Sequence, residues 1–527
     1  MRRLLTAVGS VSLIAHSGLA QSTRPERTGF RETSSLADVR SFLDSLQRRG
    51  AGIRVGILAA SPEGRAVPYV IASRPLVSTP AEAKRSGKLV VWLQANIHAG
   101  EVEGKEAAQM LLRDLTLGPL RALLDSLVLI VVPIYNTDGN ERLGPGQVYR
   151  PEQNGPAIVG RNQNGQYLNL NRDYVKMEAP ETRGAAVLIE RWDPDLFIDL
   201  HTTDGSYHGY ALTYAPGLNP NASPSGEFAR AVLLPQARER LRRLYRTETF
   251  SYGNFRNQEP DSLVLGWETY DARPRFGTNW MALRGRVAVL SEGYSHADFR
   301  TRITATRRFV REVLGLAAAA TSHIHALTAA SDRQRPDSVI VRSVLAPPDT
   351  QEVIAELTGA AGAGSDGYAP RRRTGVFRRI RMPVYGRFAA ARREARPAAY
   401  LVPGRLRSVV SLLRAQGIVV ERVRTPWRGV VDSFTVDSLV VEPVFEGHRT
   451  VRAEGRWRAG RHVAVSPGTF LIRTRQPLGL LASYLLEPAS EDGVVTWNLL
   501  DRELEVNSAA PIARVASVEG TVTEMVP

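Results

Sequence analysis

Short apolar runs that alternate with helical stretches constrain the fold of this chain more than any other feature. Residues 89–97 and 127–134 are mostly apolar or β-branched, as strands buried on both faces are. Between them, apolar residues at helical spacing predict a helix over 107–117. Strands that are apolar throughout and separated by helices indicate an α/β sheet covered on both faces.

The same alternation continues to residue 316. The sequence predicts further helices over 36–46, 185–191 and 302–316, and further strands over 196–200 and 287–290. The sheet is therefore expected to include strands from distant parts of the chain.

The length of 527 residues exceeds that of one ordinary core and predicts two folded units, with three as the alternative. We assign residues 21–330 to the first unit. Residues 331–527 form a smaller second unit of unknown role, in which strands and helices are mixed as in an α+β fold. The Gly-, Ala- and Ser-rich stretch 359–367 has the composition of a boundary or an exposed loop.

Residues 1–20 differ from the rest of the chain. Arg2 and Arg3 precede an apolar stretch, and Gly18, Leu19 and Ala20 are typical of a cleavage site. We interpret the segment as a secretory signal peptide, with a short membrane anchor as the alternative. No other run of about 18 apolar residues occurs. The expected protein is secreted or periplasmic, without an integral membrane segment after cleavage.

Cysteine is absent, so any metal must be held by His, Asp or Glu, and no thiolate can serve as nucleophile. The formal net charge is +15, and arginine is dense between residues 371 and 428. Such an excess either attracts polyanions or covers a solvated surface. Aromatic residues do not interleave with the basic ones, so we expect no nucleic-acid partner. The oligomeric state is left open.

Two polar motifs follow predicted strands and carry metal-ligating side chains. His98 and Glu101 are three residues apart, so one turn can direct both at one ion. His201 follows the strand 196–200, with Asp199 on the same strand face. Each motif alone is as typical of a polar helix start or a hydrogen-bonded buried histidine. Together, two His and one Glu are typical of catalytic zinc, and Asp199 would orient the His201 imidazole.

Two further motifs carry an arginine and a glutamate. Asn171 and Arg172 combine an amide donor with a guanidinium fork that binds carboxylates in a bidentate way, although a capped surface loop is the alternative. Glu292 follows the strand 287–290, where a buried carboxylate needs a partner or a task. Near a metal it can take a proton from water and pass it to a leaving amine.

Together these motifs resemble the zinc carboxypeptidase family of metallopeptidases, peptidase family M14, in the same chain order over most of residues 36–316. The family's zinc ligands, substrate-carboxylate pair and catalytic glutamate fall, in that order, on His98, Glu101 and His201, on Asn171 and Arg172, and on Glu292. The resemblance implies one zinc ion per chain. It also implies a mixed, mostly parallel sheet with helices on both faces, followed by the smaller α+β domain.

Other family residues are assigned less directly. The mobile tyrosine that closes over substrate falls on Tyr270, and the arginine that polarises the scissile carbonyl is assigned to Arg150, with Arg142 and Arg161 as alternatives. Asn169 departs from the family pattern, which has an acidic residue there that orients the first zinc histidine. A neutral amide is expected to orient and charge that imidazole less well.

The resemblance predicts a metallocarboxypeptidase that hydrolyses C-terminal bonds of peptides with a free C-terminus, with a metal-activated water and Glu292 as general base. A cell-wall peptide amidase or endopeptidase of the same family is one alternative. The loop 204–214, with His208 and several aromatic residues, can reshape the pocket for either substrate. A non-catalytic peptide- or glycan-binding protein is the alternative from another class. The side-chain preference is left open.

Overall fold

The computed structural model describes residues 22–221, 224–362 and 370–526. The predicted signal peptide, residues 1–20, lies outside the described residues and stays a prediction. Within the described ranges no single helix is long and apolar enough to cross a membrane. One bent pair, Phe299–Ala319 with Thr321–Arg333 at 81°, reaches that length and composition only when both helices are taken together.

The described strands are numbered in chain order. They are β1 (Ile53–Ala60), β2 (Ala66–Ala72), β3 (Leu89–Ala95), β4 (Leu127–Val132), β5 (Gly144–Pro145), β6 (Ile158–Val159), β7 (Leu196–Thr202), β8 (Leu212–Pro216), β9 (Thr249–Ser251), β10 (Asn254–Phe255), β11 (Trp267–Glu268), β12 (Val287–Gly293), β13 (Ser338–Leu345), β14 (Asp349–Ala361), β15 (Arg371–Tyr385), β16 (Phe388–Ala395), β17 (Ala399–Val402), β18 (Glu421–Val423), β19 (Trp427–Phe445), β20 (His448–Val465), β21 (Phe470–Arg473), β22 (Ala509–Val515) and β23 (Thr523–Met525).

The α-helices are numbered in the same way. They are α1 (Arg24–Arg27), α2 (Leu36–Arg48), α3 (Pro80–Ser86), α4 (Glu103–Thr116), α5 (Thr137–Glu141), α6 (Gly146–Tyr149), α7 (Pro180–Trp192), α8 (Pro224–Phe228), α9 (Leu234–Tyr245), α10 (Gly277–Leu283), α11 (Phe299–Ala319), α12 (Thr321–Arg333), α13 (Arg407–Ala415) and α14 (Gly479–Leu486). Short 3-10 turns cover Arg121–Asp125, Leu170–Arg172 and Pro260–Leu265, and a π-helical turn covers Ala229–Leu233.

The central sheet contains eight of the described strands, in the order β1-β2-β4-β3-β7-β12-β8-β9. Its middle strands β4, β3, β7 and β12 are parallel, whereas β1, β2 and β8 join through antiparallel pairs. The sheet is therefore mixed and mostly parallel, as predicted. All residues of its parallel middle strands are buried, because helices cover both faces.

Alternate residues of the middle strands face two hydrophobic cores. On β3, Val90 and Trp92 belong to the core that includes α7 and α10. Leu89, Val91 and Leu93 belong to the core that includes α2, α4 and α11. The expectation of helices on both faces is thus confirmed.

The helices and strands predicted up to residue 316 are all present, with ends that differ by a few residues. The sequence did not predict the β1–β2 hairpin or β8. The predicted loop 204–214 ends in β8, which pairs antiparallel with β12. On β1 most residues are exposed or half-buried, so this strand lacks the continuous apolar run that marks the middle strands.

Beyond residue 337 the chain is rich in β-structure. Seven described strands form an antiparallel sheet in the order β20-β19-β22-β17-β21-β18-β23, and α13 and α14 pack with one of its faces in the core shared with α7 and α10. The antiparallel hairpin β14–β15 also pairs with β11. The predicted boundary after residue 330 falls inside α12. The stretch 359–367 begins within β14, which ends at Ala361, and most of the stretch lies outside the described residues. The division into domains stays a prediction.

Candidate active site

The three predicted metal ligands meet at the carboxyl ends of two neighbouring parallel strands. His98 follows β3, His201 lies near the end of β7, and Glu101 lies just before α4. In an open α/β sheet this edge is where ligands bind. One potential ligand atom from each residue lies within 4.8 Å of the other two. The three side chains therefore form a candidate metal centre.

Both imidazole rings direct the same nitrogen at the Glu101 carboxylate. Nδ1 of His98 lies 2.9 Å from Oε1, and Nδ1 of His201 lies 2.8 Å from Oε2. On the far side of the rings, Nε2 of His98 lies 2.9 Å from Oδ1 of Asn169, and Nε2 of His201 lies 3.2 Å from Oδ2 of Asp199. The Asn169 oxygen can only accept, which favours a proton on Nε2 of His98 and leaves its Nδ1 lone pair for an ion. Asp199 lies near Nε2 of His201 without a hydrogen bond, so it acts on that ring through its charge.

The charges around the centre favour a cation. Burial disfavours the charged form of Glu101, but His98, Arg150 and His201 hold the pKa of that carboxyl well below its ordinary value. Burial also disfavours a charge on His201, yet Asp199 and Glu101 raise the pKa of that imidazole well above its ordinary value. Positive charge is therefore stabilised at this point.

Zinc fits this donor set. Two imidazole nitrogens and one carboxylate, with a further position left for water, are typical of catalytic zinc sites. The nearby Glu292 gives an independent indication, because its Oε2 is buried and has no hydrogen-bond partner among the described residues. A buried carboxylate oxygen without a partner costs free energy, which a metal site with its water would offset.

Glu292 lies beside His201 on the adjacent parallel strand, since the two residues are partners in the β12–β7 register. Burial raises the pKa of the Glu292 carboxyl well above its ordinary value. The positive charges of His201 and Arg150 oppose that rise, whereas the negative charges of Glu101 and Asp204 add to it. A carboxyl group whose pKa lies above its ordinary value is suited to exchange a proton with water near neutral pH.

Arg150 is the predicted arginine that lies at the metal centre. Its Nη1 donates to Oε1 of Glu101 at 3.2 Å, and its Nη2 donates to the backbone oxygens of Thr202 and Thr203, both at 3.3 Å. The two alternatives, Arg142 and Arg161, instead lie against the ring of Tyr167, at 5.4 and 4.1 Å from its centre. Of the three arginines, Arg150 is therefore the one at the candidate metal centre.

Asn171 and Arg172 lie next to the ligands on a short 3-10 turn. Oδ1 of Asn171 accepts from the backbone N–H of Gly277 at 3.0 Å, and its Nδ2 lies 3.3 Å from Nε2 of His201. Arg172 stacks on Phe276, 4.0 Å from the ring centre, and donates to the Asn171 backbone oxygen. No ion pair joins Arg172 to a carboxylate within the described part of the chain, so its guanidinium can bind an incoming carboxylate.

Tyr270 lies near this pair. Its ring contacts Phe276 edge-on at 5.3 Å between centroids, and its hydroxyl lies 3.4 Å from Oδ1 of Asn279. A second tyrosine, Tyr252, lies 5.7 Å from Tyr270 and donates to Oδ2 of Asp204 at 2.6 Å. The position of Tyr270 is compatible with its predicted role over substrate.

Sequence reasoning did not identify Asp204, Tyr252, Glu152 or Glu446 at this site. Glu152 pairs with Nε of Arg150 at 2.7 Å, and Glu446 accepts from the backbone N–H of Asn169 at 3.1 Å. Glu446 belongs to the C-terminal part, in which no site was expected. In the sequence, Glu446 is a charged residue before a glycine between two strands, a pattern that is common in solvent-exposed turns.

Comparison with known proteins gives the following matches. Residues 39–258 match the family described as zinc carboxypeptidase. Carboxypeptidase 2 of Trichophyton rubrum is 24% identical over 464 residues, which cover 84% of this chain and 79% of that protein. Probable carboxypeptidase 2 of Arthroderma benhamiae is 22% identical, with 82% and 79% covered. The crystal structure of carboxypeptidase A from Helicoverpa armigera is 17% identical, with 58% and 78% covered and a TM-score of 0.42.

Proposed function

Since this chain belongs to the zinc carboxypeptidase family and is a metallopeptidase, we propose that it hydrolyses the C-terminal bond of peptides with a free C-terminus. The observation that carries the proposal is the meeting of His98, Glu101 and His201 around one point, with Glu292 on the strand beside His201. Ligands and a proton-transfer group are the minimum that metal-assisted peptide hydrolysis requires.

The proposed cofactor is one zinc ion per chain, which His98, Glu101 and His201 would hold. Bound zinc supplies Lewis-acid chemistry and lowers the pKa of water at the site towards about 7. Asn169 keeps the His98 imidazole oriented through its Nε2 atom, and Asp199 acts on the His201 imidazole through its charge. The neutral Asn169 fulfils this role through its amide oxygen.

The side chains around the centre divide the remaining work. Glu292 takes a proton from the attacking water and returns it to the leaving amine. The Arg150 guanidinium stabilises negative charge that develops on the carbonyl oxygen, which is usually the largest single contribution to such catalysis. Asn171 and Arg172 bind the terminal carboxylate of the peptide, and Tyr270 closes over it.

The test combines a metal-dependence assay with two matched peptides. Purified full-length protein is assayed with a peptide bearing a free C-terminus and with its C-terminally amidated analogue, before and after treatment with a chelator and after zinc is restored. We expect hydrolysis of the free peptide alone, loss of activity with the chelator, recovery with zinc, and about one zinc per chain by elemental analysis.

Other outcomes would assign the site differently. Preferential cleavage of blocked or cell-wall peptides would favour an amidase or endopeptidase of the same family. Bound peptide without turnover in the zinc-loaded protein would indicate a binding protein, and zinc absent after reconstitution would contradict the proposed centre.

Export of the protein is a separate part of the proposal. It is supported by residues 1–20, which have the basic start, apolar stretch and small residues of a secretory signal. Peptides outside the cytoplasm are then the expected substrates. N-terminal sequencing of protein recovered from the culture medium or periplasm would detect cleavage after Ala20.

A further inference from the structure

The hairpin β19–β20 of the C-terminal part contacts the active-site loop with its tip. Phe445 and His448 are paired at the end of the hairpin, so Glu446 and Gly447 form a two-residue turn. From this turn, Oε2 of Glu446 accepts a hydrogen bond from the backbone N–H of Asn169 at 3.1 Å. The bond joins positions 277 residues apart in the sequence.

Asn169 is the point at which this contact reaches the metal centre. Its side-chain Oδ1 lies 2.9 Å from Nε2 of His98 and accepts from the backbone N–H of Asn171 at 3.0 Å. Asn171 in turn approaches His201 and precedes Arg172. A single backbone amide held by Glu446 therefore lies next to a metal ligand and next to the pair that binds the substrate carboxylate.

The turn itself is unfavourable for glutamate. Glu446 has a φ of +50° and Gly447 a φ of +79°, so both turn residues are left-handed, as in type I′ hairpins. Such positions favour glycine, asparagine and aspartate. A glutamate kept in a strained position points to a task for its side chain, and its length is what spans the distance to Asn169.

Neighbouring contacts fix the tip where it is. The Phe445 ring lies 5.0 Å below the Arg275 guanidinium, which pairs with the fully buried Asp492 at 2.8 Å. On the other side, Nε2 of His448 lies 2.8 Å from Oε1 of Glu178. The tip is thus held on both sides, so Glu446 can act as a fixed acceptor rather than a mobile surface carboxylate.

We propose that Glu446 is a positioning residue of the active site. It holds the Asn169 backbone so that the Asn169 amide orients His98 and the loop presents Asn171 and Arg172 to the substrate carboxylate. The C-terminal part of the chain is therefore part of the catalytic site, on its carboxylate-binding side. The role in substrate binding rests on the proposed carboxypeptidase function, whereas the role towards His98 needs only a bound metal.

The decisive variant is Glu446→Asn, because it separates stability from positioning. Asparagine suits the left-handed turn better than glutamate, but it is one methylene shorter and loses the contact with Asn169. Glu446→Gln keeps both the length and an acceptor oxygen. The matched control is Asp437→Asn on the same hairpin, whose carboxylate forms an exposed pair with Arg456.

Two readouts are measured on the full-length protein: zinc affinity by competition with a chromogenic chelator, and KM and kcat for a peptide with a free C-terminus. For Glu446→Asn we expect a free energy of unfolding no lower than that of the wild type. Zinc should bind about tenfold more weakly, and KM should rise about three- to tenfold, as expected for one lost hydrogen bond. Glu446→Gln should restore both values to within about twofold, and Asp437→Asn should match the wild type.

Two results would overturn the inference. One is a Glu446→Asn variant with wild-type zinc affinity and KM. The other is a Glu446→Gln variant as impaired as Glu446→Asn, which would assign the effect to charge and not to the hydrogen bond. If the wild type cleaved no peptide, the proposed function would fail, and the zinc competition would still decide whether Glu446 supports His98.

Discussion

Glu292 and His201 occupy partner positions on adjacent parallel strands, which places the proposed general base beside a candidate metal ligand. Since Glu292 is not one of the three clustered ligands, its amide analogue should leave the metal in place. We predict that Glu292→Gln lowers kcat by about 100- to 10,000-fold while the zinc content stays at the wild-type level. Steady-state kinetics and elemental analysis of the same preparation measure both.

The control is Glu505→Gln, which removes one exposed carboxylate far from the metal-binding motifs in sequence and is expected to keep wild-type kinetics. Activity of Glu292→Gln within about tenfold of the wild type would exclude Glu292 as the general base. Loss of zinc together with loss of activity would instead indicate that Glu292 supports the metal.

At the residue scale, the sequence identifies residues that belong to a recognisable motif within one short stretch of chain. His98 and Glu101 share one turn, and Glu292 ends an apolar strand, so motif and strand pattern are sufficient to find them. Glu446 carries no local signal, because its role depends on a hairpin packing against a loop 277 residues earlier. Such contacts are set by tertiary structure, which residue patterns do not encode directly.

At the scale of elements, the hairpin β14–β15 covers the loop after β7 and encloses two uncharged histidines. His208 forms a bridge with Ala355, and Nε2 of His296 lies 2.8 Å from the Gly205 backbone oxygen. Burial, together with the positive charge of Arg373, lowers the pKa of His208 to about 3 and that of His296 to about 4.

These histidines predict a loss of stability in acid. Their pKa values are lower in the folded than in the unfolded chain, where the ordinary value is 6.5, so the unfolded state binds more protons. Their contribution is fully present above pH 6.5 and is lost as the pH falls towards about 4. For His208→Gln we expect the decrease in unfolding free energy between pH 7 and pH 5 to be smaller than in the wild type by about 2 kcal/mol.

Urea unfolding of zinc-saturated protein at the two pH values gives this difference. His462→Gln is the control, because His462 lies exposed on β20 and should keep the wild-type pH dependence. If His208→Gln kept the wild-type pH dependence, the protonation of His208 would not differ between the folded and the unfolded chain in this pH range.

The elements that the sequence predicts well are those with one dominant pattern. The middle strands are apolar on both faces, and α4 and α11 carry apolar residues at helical spacing. The edge strand β1 and the strand β15 of the long hairpin have many exposed residues, and β8, although buried, is only five residues long. Their pairing depends on partners elsewhere in the chain, so the residue pattern alone does not reveal them.

At the scale of the whole molecule, the two predicted units share one hydrophobic core. Buried residues of α7 and α10 belong to the same cluster as buried residues of α13 and α14. The length of the chain could predict two units, but not how they are joined. Each unit has an ordinary content of apolar residues, and that content does not reveal which of them pack against the other unit. A continuous core makes independent unfolding of either unit costly, since it would expose apolar surface of the other.

Gln416, at the end of α13, provides the sharpest test of this joining. Its Nε2 donates to the backbone oxygens of Tyr174 and Val175 at 2.9 and 3.0 Å, and its Oε1 accepts from Trp280 Nε1 at 2.7 Å.

Gln416→Ala would leave these buried groups without partners, which costs about 1–3 kcal/mol for each unsatisfied group. We predict a large loss of stability with unfolding still in one transition, because the shared core remains. Tryptophan fluorescence and peptidase activity should therefore decay together in urea, with exposed Gln334→Ala as the neutral control. Two separated transitions in the wild type would show that the units unfold independently, and the Glu446 contact would then be lost whenever the C-terminal part opens.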